Sequence, residues 1–138
     1  MINPQQPLTD FKLDERLAGD TIFIRDLKLS SLLLMNDARY PWLILVPRRA
    51  ALTELYELSL EDSTELLSEI DIYSRLLKER FSAMKINVAN LGNIVSQLHV
   101  HIVARLENDE AWPGPVWGRG TLRKYTEVQL QETLLKVN

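Results

Sequence analysis

The chain predicts an α+β fold, an antiparallel sheet of about five strands with one long helix packed on one side and a short helix at the C-terminus. Three observations carry this. Short runs rich in β-branched and aromatic residues alternate with turn residues through the first half, one apolar stripe of helical period runs through residues 59–82, and a strictly alternating segment follows at 97–102. Hairpin-like strands interrupted by a single long helix describe a sheet covered by helices on one side. With 138 residues and 46% hydrophobic content the chain can build a real core, so we take 1–138 as one domain.

Residues 1–12 hold two prolines and few aliphatics, and read as an N-terminal arm that orders only by docking on the body or on a second subunit. Leu13–Gly19 reads as a helical turn ended by Gly19, and Thr21-Ile22-Phe23-Ile24 as the first strand. Leu29–Met35 is the second, and its unbroken Leu32-Leu33-Leu34 run implies burial on both faces. Asn36-Asp37-Ala38-Arg39-Tyr40-Pro41 reverses the chain before a third strand at Trp42–Val46.

Ser59-Leu60-Glu61-Asp62 has the form of a capping box with acids in the first turn. From there Leu66, Ile70, Tyr73 and Leu77 fall on one helical face, with Lys78 and Arg80 at the favourable C-terminal end, so the helix should stop near Ser82. Lys85–Leu91 makes a fourth strand, Gly92-Asn93 a bend, and Val95–Arg105 the fifth strand. A loop at Glu107–Gly120 holds two prolines, three glycines and two tryptophans. The remaining segment, 119–138, carries a short helix opened by a second capping box at Thr126–Gln129.

Gln97-Leu98-His99-Val100-His101-Ile102-Val103 concentrates the chemistry, because it contains the chain's only two histidines. Period-two alternation turns Leu98, Val100 and Ile102 to the core and Gln97, His99 and His101 to the other face, with neighbouring side-chain origins roughly 6.5–7 Å apart. Two imidazoles can then act on one small group. Zinc would require three or four ligands, and without cysteine or a third histidine it would have to recruit carboxylates. We therefore favour metal-free chemistry, one imidazole serving as nucleophile or base and the other as proton donor.

The motif QLHVHIV resembles the signature of the histidine triad (HIT) superfamily, His-φ-His-φ-His-φ-φ with φ apolar, with Gln97 in place of the first histidine. The similarity extends from Phe11 to Gly118 through LILVPRR at 43–49, LGNIVSQLHVHIVAR at 91–105 and WPGPVWG at 112–118. This variant looks most like bacterial diadenosine tetraphosphate hydrolase-like HIT proteins. The resemblance implies a five-stranded antiparallel sheet in each subunit of a homodimer. It also implies an enzyme, a hydrolase or transferase that cleaves a phosphoanhydride or phosphoramidate at a nucleotidyl α-phosphate through a nucleotidyl-histidine, with dinucleoside polyphosphates foremost. A nucleotide-binding or regulatory protein with slow turnover is the other class on the same scaffold.

Residue by residue, the resemblance makes His99 the nucleophile, oriented by the main-chain carbonyl of Gln97, and sets His101 against the phosphate oxygen or leaving group. Gly92 and Asn93 stand where the family has a phosphate-binding Gly-Gln pair. Asn36 and Asp37 match the turn that contacts the ribose, and Asn87 an asparagine beside the nucleophile. Trp112 and Trp117 are candidates for stacking on a base or closing a dimer's site. Ile94 stands where serine or threonine is common, which removes one phosphate contact. No resident cofactor or metal is implied, though a divalent ion such as Mg can accompany the substrate.

Composition narrows the partners. A net charge of −3 and a pI near 5.4 disfavour an extended nucleic-acid footprint, so a nucleotide must be held locally. The absence of cysteine excludes a disulfide framework, and no apolar run is long enough to span a membrane. With no leader in the N-terminal residues, the expected location is the cytoplasm.

Overall fold

A computed structural model describes residues 10–138; the expectation for the N-terminal arm falls largely on residues outside that range. The elements run α1 (Glu15–Asp20), β1 (Thr21–Asp26), β2 (Ser30–Met35), β3 (Trp42–Pro47), α2 (Leu60–Arg80), β4 (Lys85–Ala89), β5 (Val100–Arg105) and α3 (Glu127–Val137), with a 3-10 turn at Leu55–Glu57. The five strands form one sheet in the order β1-β2-β3-β5-β4, every neighbouring pair antiparallel. No helix among the described residues is long and apolar enough to cross a membrane.

The centre of the sheet is as apolar as its sequence. Leu32, Leu33 and Leu34 in β2 and Leu43, Ile44 and Leu45 in β3 are buried alike, so both faces are covered. On one face α2 lays down Leu66, Tyr73 and Leu77, and α3 adds Val137, against Leu34, Leu45 and Ile102. The α2 cap forms as expected, Ser59 Oγ accepting from the Asp62 amide at 3.1 Å, and the capping box at Thr126 and Gln129 opens α3. Fully burying each such leucine stabilises the fold by roughly 1.5–3 kcal/mol, and this supplies most of the force holding the helices to the sheet.

The opposite face is covered too, which corrects the expectation that helices lie on one side only. Leu17 of α1 and Val116 of the long loop pack there on Leu33, Trp42, Ile44 and Val103. α1 itself differs from expectation, because Gly19 lies inside it rather than ending it. The helix is started by Asp14, whose carboxylate accepts from the Arg16 and Leu17 amides, and it passes directly into β1 at Thr21.

Two further boundaries are corrected. β4 stops at Ala89, opposite His101, and the last strand begins at Val100 rather than Val95. Residues 90–99 leave the ladder because other groups take their backbone bonds: the Leu98 amide donates to the Leu52 carbonyl at 2.8 Å and the Gln97 carbonyl faces a side chain. The alternation read there still sorts side chains correctly, with Leu98, Val100 and Ile102 in the core.

Candidate active site

The second face of the sheet opens into a cavity of about 480 Å³ beside β3 and the start of β5, walled by α1 on one side and by the 91–95 segment on another. Its lining is mostly apolar, with Leu17, Met35, Ile44 and Val95 prominent. A volume in this range accepts a mononucleotide-sized ligand. His99 and His101 meet here, both buried, with ring centroids 4.9 Å apart and planes at 72°.

The proton on each ring is fixed by its neighbour. His99 Nδ1 lies 2.7 Å from the Gln97 main-chain oxygen. A carbonyl only accepts, so Nδ1 carries the hydrogen and Nε2 keeps its lone pair. His101 is held in the opposite sense. The Trp42 indole N–H donates to His101 Nδ1 at 3.0 Å, and indole nitrogen is a donor only, so the neutral ring carries its hydrogen on Nε2. Burial, with a smaller contribution from His99, pushes His101 down to about 3, which keeps it neutral at ordinary pH. The pair therefore combines one imidazole with a free lone pair and one with a free N–H. Trp117 closes the site, its ring edge-on to His101 at 5.4 Å and to Trp42 at 6.0 Å.

Of the residues named from sequence, His99, His101, Asn93 and Trp117 line this cavity, and the Gln97 carbonyl sits behind it. The others lie elsewhere in the structure. Gly92 opens onto an adjoining polar cleft that it shares with Asn93, Asn90 and Ser96. Asn36 spends its side-chain oxygen on the Tyr125 amide at 3.0 Å, and Asp37, fully buried, forms a two-oxygen pair with Arg39, so neither is directed at a ligand in the cavity. Asn87 Oδ1 accepts from the buried Arg105 guanidinium at 2.8 Å. Trp112 packs over that same guanidinium, 5.5 Å from its centre, rather than beside the histidines. Ile94 does line the cavity, and is 78% exposed.

Sequence reasoning missed Trp42, taken as the start of a strand, and Arg16 and Asp20 of α1, which line the cavity. Trp42 did carry a signal, because a tryptophan inside a core strand needs a partner for its N–H. Nothing local pointed to Arg16. Among the described residues no group of three or more His, Asp or Glu side chains gathers to hold a metal ion.

Comparison with known proteins agrees with this geometry. The HIT domain family pattern matches residues 17–108, and the chain belongs to that family. It is similar over nearly its whole length to a histidine triad protein of Sinorhizobium meliloti 1021, with 46% identity, a TM-score of 0.92, and 95% of this chain and 97% of that one covered. A histidine triad protein of Marinobacter aquaeolei VT8 is 47% identical, with a TM-score of 0.89 over 91% of this chain and 92% of that one. The diadenosine triphosphate hydrolase of Plasmodium falciparum, 19% identical with a TM-score of 0.58 over 90% of this chain and 76% of that one, shares the fold alone. No functionally curated protein matches the chain.

Proposed function

We propose that this protein is a nucleotide hydrolase or transferase that works through a nucleotidyl bond to His99 Nε2. The observation that carries the reading is the complementary protonation of the two rings, His99 held by the Gln97 carbonyl and His101 by the Trp42 indole. The His99 lone pair attacks the α-phosphorus in line, and the bond from phosphorus to the leaving group breaks. The attacking ring becomes cationic, and its Nδ1–H, already bonded to a carbonyl, stabilises that charge. His101 Nε2–H donates to a phosphoryl oxygen as charge builds on it. Since His101 enters neutral, it serves as a hydrogen-bond donor rather than as a strong acid, and the departing group takes its proton from solvent. Water then attacks phosphorus and gives up its proton to solvent, the P–N bond breaks with its electrons returning to His99, and the nucleotide leaves.

For the leaving group, the family resemblance puts dinucleoside polyphosphates first. The lining favours nucleoside phosphoramidates as a second substrate, because among the described residues Arg16 is the only lysine or arginine on the cavity and a polyphosphate tail brings several negative charges. A panel of both classes with product detection ranks them. Brief reaction with a phosphorus-labelled substrate, quenched and digested for peptide mass spectrometry, should place an acid-labile, base-stable label on His99. A competent enzyme labelled at any other residue would refute the assignment. If no adduct forms while oxygen from labelled water enters the product, His99 is a general base instead. If nucleotides bind and no member of the panel turns over, the protein is a nucleotide-binding HIT protein, for which the apolar Ile94 on the cavity is a reason.

We further propose that two copies associate through β4, which ends the sheet with one side of its backbone unpaired among the described residues. Sedimentation giving only monomer at micromolar concentration would exclude this.

A further inference from the structure

We propose that Gln97 is a positioning residue for substrate recognition, whose side-chain amide fixes α1 as a wall of the cavity and so presents Arg16 to a phosphate of the ligand. The inference rests on the cavity being a nucleotide site.

Gln97 is bonded at three points. Its main-chain oxygen holds His99, its side-chain oxygen accepts from the Asp14 amide at 2.8 Å, and its side-chain nitrogen donates to the Lys12 carbonyl at 2.8 Å. Both side-chain partners lie on one short segment more than eighty positions upstream. Asp14 is the cap of α1, so the amide that pins Asp14 also pins the start of that helix. α1 has six residues, too few to persist without outside support; its far end runs on into β1 and Leu17, with Phe11 and Leu13 before it, packs on the sheet, while Gln97 ties down its start.

The chemistry at position 97 is specific. A primary amide offers an acceptor and a donor at the end of one flexible stem, which matches the Asp14 N–H and the Lys12 carbonyl together. A carboxylate keeps the first bond and sets an oxygen against the second partner. In a neutral imidazole the N–H and the lone pair diverge across the ring, whereas those of the amide point the same way, so histidine does not match two partners on one segment. Glutamine at the first triad position is therefore an anchor for the opposite wall, and restoring histidine there would remove it.

What the wall presents is Arg16. An anion entering an apolar cavity needs a charge-assisted bond to offset its lost hydration, and Arg16 is the one guanidinium that the described residues bring there. Among the described residues its side chain makes no ion pair and no hydrogen bond. Asp20, one turn further on, faces the same cavity, so the anion is directed to the Arg16 end of the wall.

The test combines titration calorimetry with amide hydrogen exchange. A nucleoside 5′-monophosphate and its parent nucleoside are titrated into wild type, Arg16→Ala, Gln97→Ala, the double variant and Gln97→Glu, and exchange is followed over residues 12–20. Arg16→Ala should weaken the monophosphate by about 10- to 100-fold, the worth of a hydrogen bond to a charged group, and leave the nucleoside unchanged. Gln97→Ala should shift binding in the same direction, speed exchange over residues 12–20, and add nothing in the double variant. Gln97→Glu, which keeps one bond, should fall between wild type and Gln97→Ala, and supplies the test if Gln97→Ala does not fold. Unchanged exchange in the Gln97 variants, additive losses, equal loss for nucleoside and monophosphate, or no monophosphate binding would each overturn the proposal. Failure of the covalent reading looks different: no adduct on His99 while monophosphate binding still depends on Arg16 and Gln97.

Discussion

The Trp42 indole N–H donates to His101 Nδ1 at 3.0 Å, and this bond decides which nitrogen of His101 bears the hydrogen turned to the cavity. Trp42→Phe keeps a ring in the same core position and removes only the donor. The Nε2–H form should then share the population with the Nδ1–H form, visible in the nitrogen NMR shifts of His101. Turnover should fall about 10-fold, one hydrogen bond's worth, with ligand affinity little changed. A single unshifted tautomer in Trp42→Phe would show that the indole does not select it.

His101 also makes folding sensitive to acid. Its folded value is about 3 against 6.5 for an unhindered histidine, so between those limits the unfolded chain binds a proton that the folded chain refuses. The associated stability is fully present above pH 6.5 and is lost as pH falls toward 3, at a slope approaching about 1.4 kcal/mol per pH unit for one proton. His101→Asn should remove that slope. Urea midpoints measured at several pH values should show wild type and variant converging as pH falls, and a gap that stays constant would mean that His101 protonates within the fold.

Asn87 separates a structural role from a ligand contact. Arg105 is buried, paired with Asp109 at 2.9 Å and bonded to Asn87. Asn87→Ala leaves one guanidinium N–H of a buried charge unpaired and should cost about 1.5–3 kcal/mol of stability. Nucleotide affinity should not change. A selective loss of affinity at unaltered stability would return Asn87 to the binding site.

What was legible in the sequence follows from what kind of signal each residue gives. The paired histidines, the α2 stripe, the Ser59 cap and the Thr126 capping box are local patterns, and each lies where the sequence puts it, although at Ser59 only the serine half of the expected box forms. Gln97 was legible in part: its carbonyl role needs only the backbone, but its amide reaches Lys12 and Asp14, and no local pattern encodes a bond across more than eighty residues. Asn36 and Asp37 carry the chemistry of ligand contacts, and no local pattern shows that their oxygens also hold the Tyr125 amide and the Arg39 guanidinium. Glu69 was invisible for the opposite reason. A charged residue on the buried face of α2 breaks the stripe, and only the structure reveals the Leu29 and Ser30 amides, at 3.1 and 3.4 Å, that its carboxylate accepts from. The start of β5 was misplaced because alternation persists in side-chain direction after the ladder has ended, and period alone does not report backbone pairing.

The two histidines should fail differently when replaced. His99→Asn removes the lone pair that attacks, so no label should be trapped and turnover should vanish. His101→Asn keeps a side chain that can donate, but displaces it and exposes His99 to a wetter cavity. The rate of label formation should fall about 10²–10³-fold, the worth of one donor aimed at a developing oxyanion, while ligand binding persists. Because His101 stays neutral, the wild-type rate of label formation should show no inflection near pH 6.5 that His101→Asn removes. Were such an inflection present in wild type and absent from the variant, His101 would be acting in its protonated form, and the bound phosphate would have to raise its affinity for a proton by several units. Quenched-flow measurement across that range, on both proteins with one substrate, separates a fixed hydrogen-bond donor from a general acid.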